Sequence, residues 1–527
     1  MLHFDHNSVK IVKVKLNIHN LYLKMKLLIQ NKFLLGILTT LISFSCSDFL
    51  DVNDNPNAPV SENLPLSAKL PAALVATVNQ ESGQLNQLGA LWGGYWGTTS
   101  EGINMFFNQK TYNGPGMRDV RDGYPVWETS YTTLLYYQLI REQAEEEGAF
   151  FYMGMAKIMQ GWHFLRLVDI YNNIPFEEAL LGTANSTPTY VPGQSVYQKS
   201  LDLITHGIAD IKNSPAGTQP GSVDLLFQGN AELWAKFGNT VKLRALIRQS
   251  EVSDLNYIQS ELAKITSEGS GFLGAGENAL VQPGYLNTAS KMNPFWENYY
   301  RNVEGAITAN YQDIRPTVYV VEQYEQKNDP RLQALYIPVD NDFLGVRFGD
   351  PVVNHEIYGR ASTSSFRGPS ENNGQPAALF KNATQPSVLM GSFESLFLQA
   401  EAAHRGWLSS SAQDFYELAI EESFIYMDVD IDQLPVYLDQ PSVAYDNTLG
   451  RIIEQKWLSL NSISSIEAWN DYRRLGIPSI PNSLQAPTAT SRPLRMMYPE
   501  TERMTNNEEA SRQGSDLIME AKVWWDQ

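Results

Sequence analysis

Cysteine is almost absent from this sequence, since Cys46 is the only one among 527 residues. A single thiol excludes an intramolecular disulfide, so the fold must be held together by packing. A free cysteine is also rare in an exported protein, where thiols are usually paired. Cys46 therefore needs an explanation of its own, and the residues in front of it supply one.

Apolar runs long enough to cross a bilayer are absent as well. The apolar stretch 33–45 directly precedes Cys46 and follows Lys26 and Lys32. It is too short for a membrane-spanning helix, which needs about 20 apolar residues. A positive flank, a short apolar core and the small residue Ser45 predict a secretory signal peptide that is cleaved before Cys46, which then carries a lipid. The alternative is an ordinary signal peptide with an incidental thiol.

Basic residues are outnumbered by acidic ones. The chain has 39 Lys and Arg against 58 Asp and Glu, which gives a net charge of −19. Removing residues 1–45 takes away six lysines and one aspartate and brings the net charge to −24. So acidic a protein argues against nucleic acids and anionic membrane surfaces as partners.

Motifs for catalysis or cofactor binding are few, and none is complete. Gly269, Gly271 and Gly274 have the spacing of a dinucleotide-binding loop, but a predicted helix rather than a strand precedes them, which favours a helix-ending turn. Glu401 and His404 have the spacing of half a di-iron site, yet no second pair exists, so an exposed helix face is the favoured interpretation. A glycosidase needs two facing carboxylates, which the sequence alone neither supports nor excludes. We therefore predict a protein that is not an enzyme and holds no cofactor or metal.

Apolar residues at helical spacing are abundant. Their recurrence three and four positions apart predicts amphipathic helices at 66–91, 151–171, 196–211, 231–249, 254–267, 316–326, 388–406, 411–427, 448–461 and 464–475. Trp234, Trp457 and Trp469 lie on the apolar stripes and are predicted core residues. Ser464 with Glu467 has the spacing of a capping box at the start of the last helix.

Between these helices, residues 250–386 contain scattered glycine, proline and asparagine. Connections of this length are usually functional or part of a binding face. Aromatic side chains concentrate in the glycine-rich loop 92–112 and again near residue 296. Sugar rings present apolar C–H faces, so exposed aromatic rings with acid and amide groups beside them predict a glycan platform. The predicted ligand-binding residues are Trp92, Tyr95, Trp96, Glu101, Asn104, Phe107, Tyr112, Trp296 and Tyr299. The alternative is that these aromatics pin the loop to the body or contact a partner protein.

Taken in order, several segments resemble the SusD/RagB family of outer-membrane nutrient-binding lipoproteins, specifically its SusD-like, starch-binding-associated branch. These segments are FLDVNDNPNAP at 49–59, AKIMQGW at 156–162, DIYNNIPF at 169–176, LWAKFGNTVKLR at 233–244, NDPRL at 328–332, FLQAEAAHRGW at 397–407, QKW at 455–457 and EAWNDYRR at 467–474. No single segment is specific to this family, but the order of the segments behind a lipoprotein-type cysteine is.

The resemblance implies an all-α fold of tetratricopeptide-like helix pairs in a right-handed superhelix, with long loop-rich insertions that face the ligand. It also implies a surface-exposed, lipid-anchored protein of the outer membrane. Such a protein captures oligosaccharides and delivers them to a SusC-like TonB-dependent transporter. An oligopeptide ligand is the alternative within the same role, and a surface glycosidase is a further alternative.

These inferences predict three parts of the chain. Residues 1–45 form the signal peptide, with the true start at Met25, because the residues before it are unlike an export signal. Residues 46–65 form a lipidated tether, because their dense Asn, Asp and Pro favour turns and extended chain. The aspartates of this tether are also potential calcium ligands, although their spacing does not match an EF-hand loop. Residues 66–527 form a single domain.

Overall fold

Paired helices make up most of the fold. The computed structural model describes residues 64–121 and 123–526, except for the side chain of Thr183. Its longer helices are α1 Leu66–Gln80, α2 Asn86–Trp92, α3 Val126–Glu147, α4 Phe150–Tyr171, α5 Gly193–Lys212, α6 Ala231–Arg248, α7 Leu255–Glu268, α8 Ser392–His404, α9 Ala412–Tyr426, α10 Leu449–Leu460 and α11 Ser465–Leu475. The fold is all-α with tetratricopeptide-like pairs, as expected; the pairs are α3 with α4, α5 with α6, α8 with α9, and α10 with α11.

Shorter elements fill the connections. A π-helix, Glu81–Leu85, joins α1 to α2. Short α-helical segments lie at Phe107–Lys110, Gly114–Met117, Pro294–Tyr299, Ala309–Asp313, Val318–Glu325, Arg331–Leu335, His355–Tyr358, Leu434–Leu438, Glu500–Thr505 and Asn507–Arg512. Single 3-10 turns lie at Gly182–Ala184, Gly221–Val223, Pro369–Glu371 and Ile431–Gln433.

Strands are short and pair in twos. They are β1 Trp96–Thr98, β2 Ile174–Pro175, β3 Tyr190–Val191, β4 Ala279–Val281, β5 Ile314–Pro316 and β6 Ser387–Met390. The antiparallel pairs are β1 with β5, β2 with β3, and β4 with β6. The first pair matters most for the site, because its register sets Trp96 opposite Pro316 and so joins the loop after α2 to the irregular region.

Helices α4 and α5 approach each other closely because glycines face each other across their contact. A Cβ added at Gly154 would lie 2.4 Å from the carbonyl oxygen of Gly207, and one added at Gly207 would lie 2.6 Å from that of Gly154. Atoms do not pack at such distances, so only glycine allows this backbone contact. The close contact joins the first helix pair to the second.

A buried ionic cluster ties the pairs together at their centre. Its charges come from the π-helix and from α4, α6, α8, α10 and α11; the members are Glu81, Arg166, Asp169, Arg244, Arg248, Glu394, Glu401, Lys456, Glu467, Asp471 and Arg474. A buried charge is tolerated only when it is paired. Each of these side chains is therefore held in position by charges from another helix, which fixes how the pairs stack.

Most predicted helices are present, with ends that differ by a few residues. Two differences have clear causes. The predicted helix 388–406 is divided, because Ser387–Met390 pairs with β4 as strand β6 and helix α8 begins only at Ser392. The predicted helix 66–91 contains the π-helix. The turn at Gly269, by contrast, ends α7 with a left-handed backbone, as the alternative to a dinucleotide loop predicted.

Two polar predictions were wrong. The capping box is not formed: the Ser464 side chain accepts no cap hydrogen bond, and Glu467 turns into the ionic cluster, where it accepts from Arg166 Nη1 at 2.6 Å. Glu401 is not on an exposed face: it is buried and receives both Nη groups of Arg474, at 2.5 and 2.8 Å. His404 lies 3.0 Å from the Tyr445 hydroxyl through Nδ1. Among the described residues, no group of three or more His, Cys, Asp or Glu is placed to hold a metal.

The three predicted core tryptophans are buried, as expected. Their exposed fractions are 0 to 2%. Each indole N–H has a partner: Trp234 donates to Asp224 Oδ2 at 2.7 Å, Trp457 to the Gly93 carbonyl at 2.8 Å, and Trp469 to the Pro493 carbonyl at 2.9 Å. Burying indoles without leaving their polar atoms unpaired makes each ring a net gain for the core.

Residues Leu66–Gln527 cluster into one compact unit. Cys46, the signal peptide and all but the last two residues of the tether lie outside the described residues. Within the described part of the chain, no helix combines the length and the apolar character that crossing a bilayer requires.

Candidate ligand-binding cleft

The loop after α2 does not form an open aromatic platform, so the prediction that its rings face solvent was wrong. Trp92, Tyr95 and Trp96 are all 0% exposed. Trp92 packs on Trp469 with ring centroids 5.0 Å apart, and Tyr95 stacks on Trp457 at 4.7 Å. The glycines of the loop bring the backbone close to α11 rather than lifting the rings outward: a Cβ at Gly93 would lie 3.5 Å from that of Ala468.

The other predicted site residues divide between buried and accessible. Tyr112 and Tyr299 are nearly buried, which corrects the expectation of exposed rings there too. Glu101, Asn104 and Phe107 are exposed, and Trp296 is half-buried. Glu101 faces the 355–360 segment and accepts from the Arg360 backbone N–H at 3.1 Å. Trp296 packs instead on Tyr300, with ring centroids 4.7 Å apart.

Tyr299 does line a cleft, together with residues that sequence analysis did not select. This cleft, of about 690 Å³, lies between the end of α1, the π-helix, the first turns of α3 and the 298–310 segment. We call it the amide cleft after its six amide side chains. Its lining residues are Ala76, Asn79, Gln80, Gly83, Gln84, Gln87, Glu128, Thr129, Thr132, Thr133, Tyr136, Asn298, Tyr299 and Asn310.

The π-helix orients the amides of one wall. Glu81 turns inward, where its carboxylate receives Arg166 Nε and Nη2, each at 3.0 Å, and Trp162 Nε1 at 2.7 Å. The wider π-turn fits this buried anchor into the helix, and Gln80 and Gln84 on either side of Glu81 line the cleft. Isolated π-turns within helices are frequent at functional sites.

A hydrogen-bonded chain fixes the opposite wall. The Tyr124 hydroxyl donates to Gln87 Oε1 at 2.8 Å, and Gln87 Nε2 donates to the Tyr299 hydroxyl at 3.0 Å. Behind Tyr299 lies the ring of Trp96, with centroids 5.1 Å apart. Trp96 thus supports a cleft residue instead of forming the platform itself. Burial raises the pKa of Tyr299, so its hydroxyl stays protonated.

Three acceptors of the cleft walls have no hydrogen-bond donor. They are the buried atoms Gln80 Oε1, Gln84 Oε1 and Glu128 Oε2. The other atoms of two of these groups are bound: Gln80 Nε2 donates to Ser130 Oγ at 2.7 Å, and Glu128 Oε1 accepts from Thr501 Oγ1 at 2.5 Å. An unpaired buried acceptor costs about 1–3 kcal/mol. All three atoms are closed to solvent as the side chains stand, so they mark polar strain in the walls of the cleft and not contact points for a ligand.

The remaining chemistry of the cleft is neutral and partly apolar. Tyr136 is 41% exposed and lines the cleft with its ring, and Ala76 adds a small apolar patch. Threonine hydroxyls and the amides of Asn79, Asn298 and Asn310 provide both donors and acceptors. The volume lies in the range of small-molecule sites, roughly 300–1,000 Å³. This combination suits a polyhydroxylated molecule with an apolar face.

Two further clefts have a different character. One, of about 470 Å³, is lined by residues that include Asp428, Asp430 and Arg367. Another, of about 580 Å³, is lined by residues that include Glu322 and Glu325. Among the described residues, no buried side-chain atom without a partner belongs to the lining of either cleft. The amide cleft is therefore the stronger candidate for a ligand site.

The sequence pattern did not predict this cleft, because the apolar spacing of residues 66–91 indicates one packing helix. A signal was present: residues 79–87 read NQESGQLNQ, so eight of these nine consecutive residues, all but Leu85, are polar or glycine. Amide side chains are mostly exposed in folded proteins, so this many of them in a helix that packs on both sides indicates a polar cavity or surface beside it. The partners on α3 and the 298–310 segment had no such signal.

Comparisons with known proteins agree with this architecture. A SusD-like family model described as "Starch-binding associating with outer membrane" matches residues 66–499. A SusD homologue from Bacteroides uniformis is 21% identical, with a TM-score of 0.69 over 87% of this chain and 99% of that one. A SusD homologue from Bacteroides fragilis is 19% identical, with a TM-score of 0.71 over 88% and 99%.

A third similar structure is described as a chitin-binding SusD homologue from Flavobacterium johnsoniae. It is 20% identical, with a TM-score of 0.69 over 87% of this chain and 98% of that one. At these identities the likeness concerns the fold. No curated protein matches the sequence.

Proposed function

The chain belongs to the SusD-like family of outer-membrane nutrient-binding proteins, and from this premise we propose that it captures oligosaccharides in the amide cleft. It then delivers them to a SusC-like TonB-dependent transporter, while a lipid on Cys46 anchors it in the outer membrane. It acts as a binding protein and leaves the glycan intact.

The observation that carries the proposal is the polar, mostly uncharged lining of the cleft. Six amide side chains and three threonine hydroxyls line it, and they both donate to and accept from sugar hydroxyls. The exposed ring of Tyr136 offers an apolar contact for the C–H face of a sugar ring. Together they meet the two needs of a glycan site, hydroxyl pairing and ring contact.

The lining favours sugars over peptides. A peptide carries a terminal carboxylate and often acidic side chains, which bind best to Arg or Lys. The lining of the cleft contains no basic residue, and its one ionisable carboxylate belongs to Glu128. The description of a protein with the same fold as chitin-binding is in line with a sugar ligand.

Gly83 offers a direct test, because it lines the cleft and nothing lies within 4 Å of a Cβ added there. Gly83→Phe should fill the cleft without disturbing the core. We expect it to weaken binding of the preferred oligosaccharide by at least about thirtyfold, equivalent to about 2 kcal/mol. Titration calorimetry against a panel of neutral oligosaccharides and of oligopeptides provides the measurement.

Gly450→Phe is the matched control. Gly450 lies in the first turn of α10, also without close neighbours, and outside the amide cleft. The Gly450→Phe protein should bind the oligosaccharide as tightly as the unmodified protein does. If the folded Gly83→Phe protein binds its oligosaccharide as tightly as the control does, the amide cleft is not the ligand site. Binding of peptides alone, blocked by the same substitution, would replace the oligosaccharide with a peptide ligand.

The transporter is tested separately. Affinity purification of the lipidated chain from its native outer membrane should recover a TonB-dependent receptor in comparable amount. Recovery of the chain without any such receptor under mild detergent would contradict this part of the proposal. Oligosaccharides incubated with the purified protein should keep their length, because we propose no catalytic step.

A further inference from the structure

Charge is distributed one-sidedly around the amide cleft. Glu128 carries the one carboxylate of its lining, whereas no Lys, Arg or His lines it. The nearby guanidinium of Arg166 is already occupied, since it binds both carboxylate oxygens of Glu81 and one oxygen of Glu467. The cleft therefore presents negative charge and acceptor atoms to a ligand, with no cation to balance an acid.

Ligand groups differ sharply in how they meet such walls. A carboxylate only accepts hydrogen bonds, an ammonium only donates them, and hydroxyl or acetamide groups do both. Burying a carboxylate without a cation costs far more than burying a paired one. An ammonium would be attracted to the charge of Glu128 and would donate to amide and hydroxyl oxygens of the lining.

Resting on the function proposed above, we propose that the amide cleft selects oligosaccharides by charge. It takes neutral and amine-bearing sugars and rejects sugars that carry carboxylates, and Glu128 is the residue that sets this preference. Glu128 suits this role because it carries the one carboxylate of the lining and Thr501 Oγ1 donates to its Oε1 at 2.5 Å, which holds the charge at the wall of the cleft.

The test uses trimers and hexamers that share a backbone and differ in one substituent. The probes are β-1,4- and α-1,4-linked oligomers of glucose, N-acetylglucosamine, glucosamine and a hexuronic acid, titrated at low and at high salt. We expect the acidic oligomers to bind at least tenfold more weakly than the neutral ones. The amine-bearing oligomers should bind at least as tightly as the neutral ones, and high salt should narrow these differences because it screens charge.

Glu128→Gln separates charge from shape. Gln keeps the size of the side chain and removes its charge, so the neutral oligomers serve as the reference against which the amine-bearing and acidic oligomers are compared for each protein. The advantage of amines over neutral sugars should disappear, and acidic oligomers should gain severalfold. Glu145→Gln is the matched control: it removes the same charge about 25 Å further along α3 and should leave the ranking unchanged.

The outcomes separate this inference from the function on which it rests. Neutral oligomers that bind, and that Gly83→Phe blocks, support the function whatever the charge series gives. If acidic oligomers then bind as tightly as neutral ones, or if Glu128→Gln leaves the ranking intact, the inference is overturned and the function stands. If no oligosaccharide binds at either salt concentration, both fail.

Discussion

Glu467 is the position where one atom change should test how the fold is held together. Its side chain is 1% exposed and faces three guanidinium groups. It accepts from Arg166 Nη1 at 2.6 Å and from Arg248 Nη2, and Arg244 Nη1 lies 3.4 Å away. Glu467→Gln keeps the size and one acceptor oxygen of the side chain but removes its charge.

The stability lost in Glu467→Gln depends on which other carboxylates each arginine still contacts. Removing one partner of a buried ion pair costs about 3–5 kcal/mol. Here the loss falls at the lower end, because Arg166 keeps Glu81 and Arg244 keeps Glu394 at 3.4 Å. We therefore expect about 3 kcal/mol. With an unfolding entropy of about 2.1 cal/mol/K per residue over the Leu66–Gln527 unit, this lowers Tm by about 3 °C.

The effect should also depend on pH. Burial alone would raise the pKa of Glu467, but Arg244, Arg248 and Arg166 outweigh it and hold that pKa well below its ordinary value. A carboxylate with a lowered folded-state pKa stabilises the fold above its unfolded pKa, near 4.3, and this contribution is lost as pH falls further. The difference in stability between the unmodified protein and Glu467→Gln should therefore be constant from pH 7 to 5 and shrink below about pH 4.3.

Differential scanning calorimetry between pH 3 and 7 measures both effects. Asp202→Asn is the control, since it removes a carboxylate whose pair with Lys264 is largely exposed, with side-chain exposures of 59% and 45%. Exposed pairs contribute at most about 1 kcal/mol, so its Tm should change by no more than about 1 °C. If Glu467→Gln melts like this control at pH 7, the ionic cluster does not stabilise the stacking of the helix pairs.

Three other predictions concern acid stability, the core and the anchor. Burial first, and then Arg166, lower the pKa of His163 to about 3, so the unfolded chain binds a proton below pH 6.5 that the folded chain does not. Because of this group, the free energy of unfolding should fall by about 2–3 kcal/mol between pH 6.5 and 4.5. His163→Gln should lack this fall in the same calorimetric series; equal pH slopes in the two proteins would refute the prediction. Trp469→Ala should cost about 3–5 kcal/mol, because it empties a fully buried site; a Tm equal to that of the unmodified protein would contradict its place in the core. Cys46→Ser should move the protein from the membrane to the soluble fraction, because the lipid anchor is lost; a variant that stays in the membrane fraction would place the anchor elsewhere.

The helices were predictable from the sequence, because each is specified by residues close together in the chain. The stripe on α4 and the apolar positions of α6 needed only spacing three and four residues apart. The burial of Trp234, Trp457 and Trp469 followed from the same periodicity. Errors arose where a distant segment competed, as at Ser387–Met390, which pairs with β4 more than a hundred residues away.

The site depended on tertiary structure. Trp92, Tyr95 and Trp96 lie among glycines in a loop, and local sequence cannot tell whether such a loop lifts its rings outward or presses them inward. The rings turn inward because Trp457 of α10 and Trp469 of α11 pack against them. The same applies to Glu467, whose capping role was displaced by three arginines from other helices.

The sequence by itself thus determined the helices and the apolar faces that drive their packing. It could not determine the amide cleft, because Gln84, Glu128 and Asn298 come from segments far apart in the chain and none is distinctive alone. Their significance lies in converging on one space with acceptors left unpaired. Such convergence is a property of packing, since hydrogen-bond partners are assigned only when all helices have taken their places.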